Sequence, residues 1–142
     1  MAIVLQRTAN AISDSFLESA IAGSVKTKFI VADDNLVSYT GTSWNIIKEL
    51  RFVRNTEEMN SNILLAKIET MALQGTSNIG IFLNLEDSPR KILSTIGTSF
   101  VLLQGTSYIG DLLNGVNLIK IGCRNLDNGT SYQRLVELWE KV

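Results

Sequence analysis

Residues 97–142, GTSFVLLQGTSYIGDLLNGVNLIKIGCRNLDNGTSYQRLVELWEKV, decide the fold class. Three apolar runs alternate here with turn-forming residues: Ser99–Gln104, ending in Gly105-Thr106-Ser107, then Gly115–Arg124, then Tyr132–Trp139. Asn114-Gly115 and Asn128-Gly129 separate them. Asn-Gly between apolar runs favours a tight hairpin, because both central residues of a type I′ turn need φ > 0. The expectation is three strands joined by two short turns, with the rest of the chain completing their sheet.

Upstream, Lys26–Ala32 and Leu36–Tyr39 flank the turn-forming triplet Asp33-Asp34-Asn35 and read as a hairpin. After Gly41-Thr42-Ser43, the stretch Trp44–Arg54 reads as mostly extended, with a helical start at Trp44–Leu50 left open by its imperfect alternation. Asn55–Asn62 is a polar loop. Ile63–Leu73 places Leu65, Lys67 and Glu69 on one side and Leu64, Ala66, Ile68 and Thr70 on the other, with Ile79–Leu83 as its hairpin partner. Pro89, the one proline, marks a loop before a short strand at Lys91–Ile96.

The first 25 residues have two readings. In one, Ser13 caps a short helix whose Phe16, Leu17, Ala20 and Ile21 form an apolar stripe ending at Gly23. In the other they are an extended arm lying on a neighbouring subunit. Under either reading Met1–Leu5 is an apolar start suited to pairing at a sheet edge.

Extended segments recur roughly every 10–15 residues with turn residues between them, the pattern of a sandwich or barrel rather than of helix-alternating βαβ units. Residues 1–142 are therefore read as one all-β domain, an antiparallel β-sandwich. Residues 73–84 and 103–114 also match at nine of twelve positions. Only two copies exist and their flanks do not repeat, so both places are expected to need the same glycine bend, as equivalent corners of two sheets.

Composition narrows the function. Charged residues make up 19% of the chain, below the ~25% typical of globular domains, and the net charge is −1 with no basic run. Neither nucleic acid nor an anionic membrane is the expected partner. Cys123 stands alone, so it forms no internal disulfide, and within an apolar run it reads as a small buried hydrophobe. No apolar run reaches the ~18 residues of a spanning helix, and the N-terminus has no signal-peptide pattern.

Histidine is absent, which removes His triads, His metal ligands and the usual general base near neutral pH. No nucleophile elbow, phosphate loop or dinucleotide fingerprint occurs. Carboxylates such as Asp33-Asp34 and Glu86-Asp87 fall in expected loops without paired spacing. The expectation is a non-enzymatic chain with no cofactor and no metal. Asp33-Asp34-Asn35 and Asn125-Leu126-Asp127-Asn128 carry hard oxygen ligands but match no defined calcium loop, and turn propensity explains both. Asn128-Gly129-Thr130 has the form of a glycosylation sequon, on what reads as the best turn in the chain. Among the aromatics, Tyr39, Trp44 and Tyr108 sit beside turns and are the candidates for an exposed platform that stacks on a sugar ring or a receptor.

From Glu49 onward, the order of features resembles jelly-roll domains of the tumour-necrosis-factor and complement type, as found in phage and viral decoration, turret or fibre proteins. The features are a charged strand (Glu49–Arg54), a long hairpin (Ile63–Leu83), Lys91–Ile96, the Leu-Asn-Gly turn, Asn117–Arg124 and a final Arg134–Trp139 strand. The resemblance implies a homo-oligomer, often a trimer, within a virion made in the host cytoplasm and touching other particle proteins. Val101-Leu102-Leu103, Leu118-Ile119 and Leu135-Val136 are apolar on both strand faces and fit burial against another subunit. The alternative is a carbohydrate- or receptor-binding module of the same architecture.

Overall fold

A computed structural model describes residues 27–54 and 62–141. They form nine strands and, among the described residues, no helix: β1 (Thr27–Asp33), β2 (Val37–Tyr39), β3 (Asn45–Arg54), β4 (Ile63–Ala72), β5 (Ser77–Leu83), β6 (Lys91–Thr95), β7 (Val101–Tyr108), β8 (Gly115–Asn125) and β9 (Ser131–Lys141). The first sheet has the order β1-β9-β4-β7, with β2 also pairing β9; the second has the order β3-β8-β5-β6. Every pairing is antiparallel. The two sheets make a jelly-roll β-sandwich.

Alternation along the strands builds the core. Leu64, Ala66 and Ile68 of β4 and Val136 and Leu138 of β9 meet Leu50 and Phe52 of β3, Ile79, Ile81 and Leu83 of β5, and Ile119, Ile121 and Cys123 of β8. Each large side chain so buried stabilises the fold by roughly 1.5–3 kcal/mol. The expected split of β4, with Leu64, Ala66, Ile68 and Thr70 on the same side, is the one found. One charged side chain also ties the sheets together. Lys48 on β3 is 6% exposed, and its Nζ donates to the carbonyls of Arg134 and Asp33 and lies 3.2 Å from Asp33 Oδ1.

The pairing departs from the hairpin expectations. Among the described strands, only β5 and β6 are both consecutive and paired. β7 and β9 flank β4 in the first sheet while β8 lies in the second, so the C-terminal strands are not one three-stranded unit. The Asn-Gly steps explain this. Gly115 has φ +110° and Asn128 φ 58°, but neither pair has both residues at positive φ, so neither forms the I′ turn a hairpin needs. They serve as crossings between sheets. β4 and β5 likewise belong to different sheets and are not hairpin partners, and β1 and β2 both pair along β9, with residues 136–141 and 131–133, instead of with each other.

The repeated Gly-Thr-Ser is not the same corner twice. Gly75 takes φ +73° at the β4–β5 crossing, where the Thr76 N–H donates to Asp127 Oδ2 at 2.9 Å. Gly105 lies inside β7, where an added Cβ would sit 2.8 Å from Leu93 Cδ2 of the facing edge strand. One tripeptide thus meets a turn requirement in one place and a close approach of two sheet edges in the other. The helix-or-arm reading of residues 1–25 and most of the polar loop at 55–62 lie outside the described residues. The helical alternative for Trp44–Leu50 is not adopted; β3 begins at Asn45.

Candidate functional site

The outer faces of the two sheets differ. At the centre of the first, Leu65, Lys67, Glu137 and Trp139 are each less than a tenth exposed. The Trp139 ring meets Phe29 edge-on at 5.3 Å, and its Nε1–H donates to Glu137 Oε1 at 3.2 Å. The centre of that face is closed. The outer face of the second sheet carries the more open arrangement.

Strand register lays this second face out in rows. Ser94 of β6, Asn78 of β5 and Arg124 of β8 are neighbours on one row. Asn78 Nδ2 donates to Ser94 Oγ at 2.7 Å and Arg124 Nε donates to Asn78 Oδ1 at 3.1 Å, so the row is one hydrogen-bonded chain. The next row pairs Gly80 with Gly122, flanked by Ile92 and Ile46. Two outward glycines side by side leave room above the sheet, and three side chains fill it. An added Cβ at Gly80 would lie 3.0 Å from both Phe82 Cε1 and Trp44 Cη2 and 3.1 Å from Pro89 Cβ; at Gly122 it would lie 2.5 Å from Phe82 Cε1.

The tip of the Trp44 ring therefore reaches the space over Gly80, while Phe82 and Ile46 fill the space over Gly122. The indole ring meets Phe82 edge-on at 5.5 Å and 84°, and the Arg124 guanidinium lies 4.1 Å from its centroid. A cation over an indole face is worth about 0.5–1 kcal/mol at an exposed site and more when desolvated. The segment bringing Trp44 here from the first sheet is pinned: the Asn125 N–H donates to the Gly41 carbonyl at 2.8 Å, and Thr40 Oγ1 donates to the Gly129 carbonyl at 3.0 Å. Phe82 is 3% exposed beneath, while Trp44 and Arg124 remain half-buried. Neither Nη of Arg124 has a hydrogen-bond partner among the described residues, nor does Trp44 Nε1. The result is a fixed π surface with unpaired N–H donors at its margin.

The sequence candidates separate. Trp44 belongs to this face. Tyr108 is 57% exposed but lies on the edge strand of the other sheet. Tyr39 is not exposed: at 6% it sits inside the sandwich, its hydroxyl bonded to Thr70 Oγ1 at 3.1 Å and to Ser77 Oγ. Burial pushes its phenol up to about 12. Asn78, Phe82, Ser94 and Arg124 escaped the sequence reading. The available signal was the alternation Asn78-x-Gly80-x-Phe82 against Lys120-x-Gly122-x-Arg124, which places two glycines at outward positions of apolar strands.

At one end of the sandwich is an open depression of about 430 Å3, lined by Asn84, Glu86, Arg90, Asp111, Leu113 and Val116 among others. Its guanidinium is fully used. Arg90 Nε donates to Glu86 Oε1 at 2.9 Å, Nη2 to Glu86 Oε2 and Asp111 Oδ2, and Nη1 to Asp111 Oδ1 and the Tyr108 carbonyl. Arg90 holds both carboxyls below the usual carboxylate range, chiefly through these hydrogen bonds. This cluster fastens the β5–β6 loop to the β7–β8 turn. The two oxygen-rich loops are likewise occupied by their own turns: Asp33 Oδ1 accepts the Asn35 N–H, and Asn125 Oδ1 accepts the N–H groups of Asp127 and Gly129.

No family model and no curated protein matches the sequence. Solved structures match by shape. The insecticidal delta-endotoxin Cry8Ea1 from Bacillus thuringiensis matches with a TM-score of 0.55 and 10% identity over 76% of this chain. The chain spans about a fifth of that toxin's length, the match covering 20% of it. A CBM4 structure matches with a TM-score of 0.47 and 15% identity, over 82% of this chain and 79% of that one. The carbohydrate-binding module CBM36, in complex with calcium and xylotriose, matches with a TM-score of 0.46 and 7% identity, over 82% and 99%.

Proposed function

We propose that the chain is a non-enzymatic carbohydrate-binding β-sandwich module whose ligand lies on the outer face of the β3-β8-β5-β6 sheet. One observation carries this reading: Trp44 is fixed against Gly80 between Phe82 and Arg124, beside the polar row Arg124–Asn78–Ser94. A sugar ring needs an aromatic surface for its C–H face and fixed polar groups for its hydroxyls, and both stand together here. By strand register Glu49 is the one carboxylate on this face among the described residues, so the strands of this face present no acid pair. A glycan array with wild type and Trp44→Ala is the test. Binding weakened roughly tenfold or more by the substitution, with thermal stability kept, supports the site. Glycan binding indifferent to Trp44 overturns it.

A second reading, an oligomeric component of a phage or virus particle, draws on a different observation. Val53 and Val116 are cross-strand partners at 66% and 65% exposure, close to Leu113 at 81%, and Val101 and Leu102 on β7 are also exposed. Such apolar surface suits a neighbouring subunit. Light scattering on a size-exclusion column decides it: a trimer at micromolar concentration supports this role, and a monomer removes it.

A further inference from the structure

Resting on the carbohydrate reading, we infer that the preferred ligand is an anionic glycan, one whose uronate carboxylate is held by Arg124. The reason is the state of the Arg124 guanidinium. It is positioned on two sides, over the Trp44 ring at 4.1 Å and through Nε to Asn78 Oδ1 at 3.1 Å. Asn78 is itself held by Ser94 and is 4% exposed. The plane of the fork is thus set before any ligand arrives, so little side-chain entropy remains to be lost on binding.

What remains unpaired is the part of the fork that recognises carboxylates. Nη1 and Nη2 make no hydrogen bond or ion pair with the described residues, and neither is a buried orphan. Planar guanidinium donors match a carboxylate bidentately, a stronger and more directional contact than one to a neutral hydroxyl. Arg90 offers the contrast within the same molecule, because its fork is already filled by Glu86 and Asp111.

The surrounding charge points the same way. Strand register puts Arg51, Lys120 and Arg124 on this outer face against Glu49 alone among the described strand residues, with Glu86 of the β5–β6 loop also within reach of Lys120, a cationic patch on a chain whose net charge is −1. Lys120 is the register neighbour of both Glu49 and Phe82, and Phe82 carries the Trp44 platform. A linear polyuronate laid along the sheet would meet Arg124 at one row and Lys120 two rows on. A sulfate ester shares the negative charge but not the planar carboxylate that the fixed fork selects.

The test is isothermal titration of the full chain with oligogalacturonate, carrageenan-derived sulfated galactan oligosaccharide and xylo-oligosaccharide as probes. Each is run with wild type, Arg124→Lys, Arg124→Gln and Trp44→Ala, and each variant's folding is checked by its thermal transition. The expected result is that oligogalacturonate binds tightest, that Arg124→Lys weakens it roughly ten- to hundredfold although the charge is kept, and that binding falls with added salt. Equal or tighter binding of the neutral xylo-oligosaccharide, still lost in Trp44→Ala, overturns the anionic preference while leaving the carbohydrate site standing. The sulfated galactan preferred with no distinction between arginine and lysine overturns the carboxylate assignment. Binding of no glycan by folded wild type overturns both readings.

Discussion

A methyl group on Gly122 would lie 2.5 Å from Phe82 Cε1, which makes these two residues the tightest fit on the outer face of the second sheet. The aromatic ring is stiff, and Trp44 lies against its edge. Gly122→Ala therefore has to lift Phe82 and with it Trp44. Overpacking of this kind costs about 1–3 kcal/mol. Urea denaturation should show that loss together with weaker glycan binding. An alanine variant with unchanged stability and affinity would show that the ring does not rest on the glycine floor.

Tyr39 yields a pH-dependent prediction. Its hydroxyl joins Thr70 of the first sheet to Ser77 of the second, and Thr70 Oγ1 donates onward to the Tyr132 carbonyl at 2.8 Å. Desolvation raises the phenol from about 10 to about 12 in the folded protein. Between those values the unfolded chain has released the proton and the folded chain has not, so unfolding gains. The Tyr39 contribution is full below pH 10 and falls by roughly 1.4 kcal/mol per pH unit up to about pH 12. Tyr39→Phe removes that slope and costs about 1–2 kcal/mol at neutral pH through the lost hydrogen bonds. Denaturant curves at pH 8 and pH 11 on both proteins measure each effect.

Much of the fold was legible because one physical signal, extended apolar runs bounded by turn residues, survives along most of the described chain. Ile63–Ala72, Gly115–Asn125 and Ser131–Lys141 were each placed to within two residues. Pairing was not legible. Asn128-Gly129 reads as a hairpin from residue type alone, and only its φ values show a crossing between sheets. Of the candidate site, Trp44 was found through its place beside a turn. Tyr39 satisfied the same criterion and is buried, because its short strand docks on β9 and turns the ring inward. Arg124 gave no local sign at all. Its role depends on Asn78, 46 residues earlier, and on Trp44, which reach it only through strand register.

Arg90 governs the acid side of the stability profile. Its hydrogen bonds depress the carboxyls of Glu86 and Asp111. Groups with depressed folded values stabilise above their ordinary range near 4 and lose that contribution as pH falls through the folded values. Arg90→Ala should cost about 1–2 kcal/mol at pH 7, a figure kept modest by the exposure of both carboxylates. It should also flatten the decline of stability below pH 4. Thermal unfolding from pH 2 to pH 7 compares the two profiles, and parallel acid limbs would contradict the clamp.

Cys123 lies in the core with no exposed surface, and burial pushes its thiol well above the usual range. A thiol-reactive dye at pH 8 should leave the folded protein unlabelled and modify it completely in denaturant. Rapid labelling of native protein would place the outer portion of β8 differently.

The most direct measurement is a two-dimensional 1H–15N NMR titration of the folded chain with oligogalacturonate and, separately, xylo-oligosaccharide. Shifts concentrated on Trp44 Nε1–H, Arg124 Nε–H and the Asn78 side-chain amide, all on the outer face of the second sheet, are the expected result. Shifts centred on Tyr108 and Leu113 at the end of the sandwich, or an unchanged spectrum with every glycan, would contradict the assignment of this face.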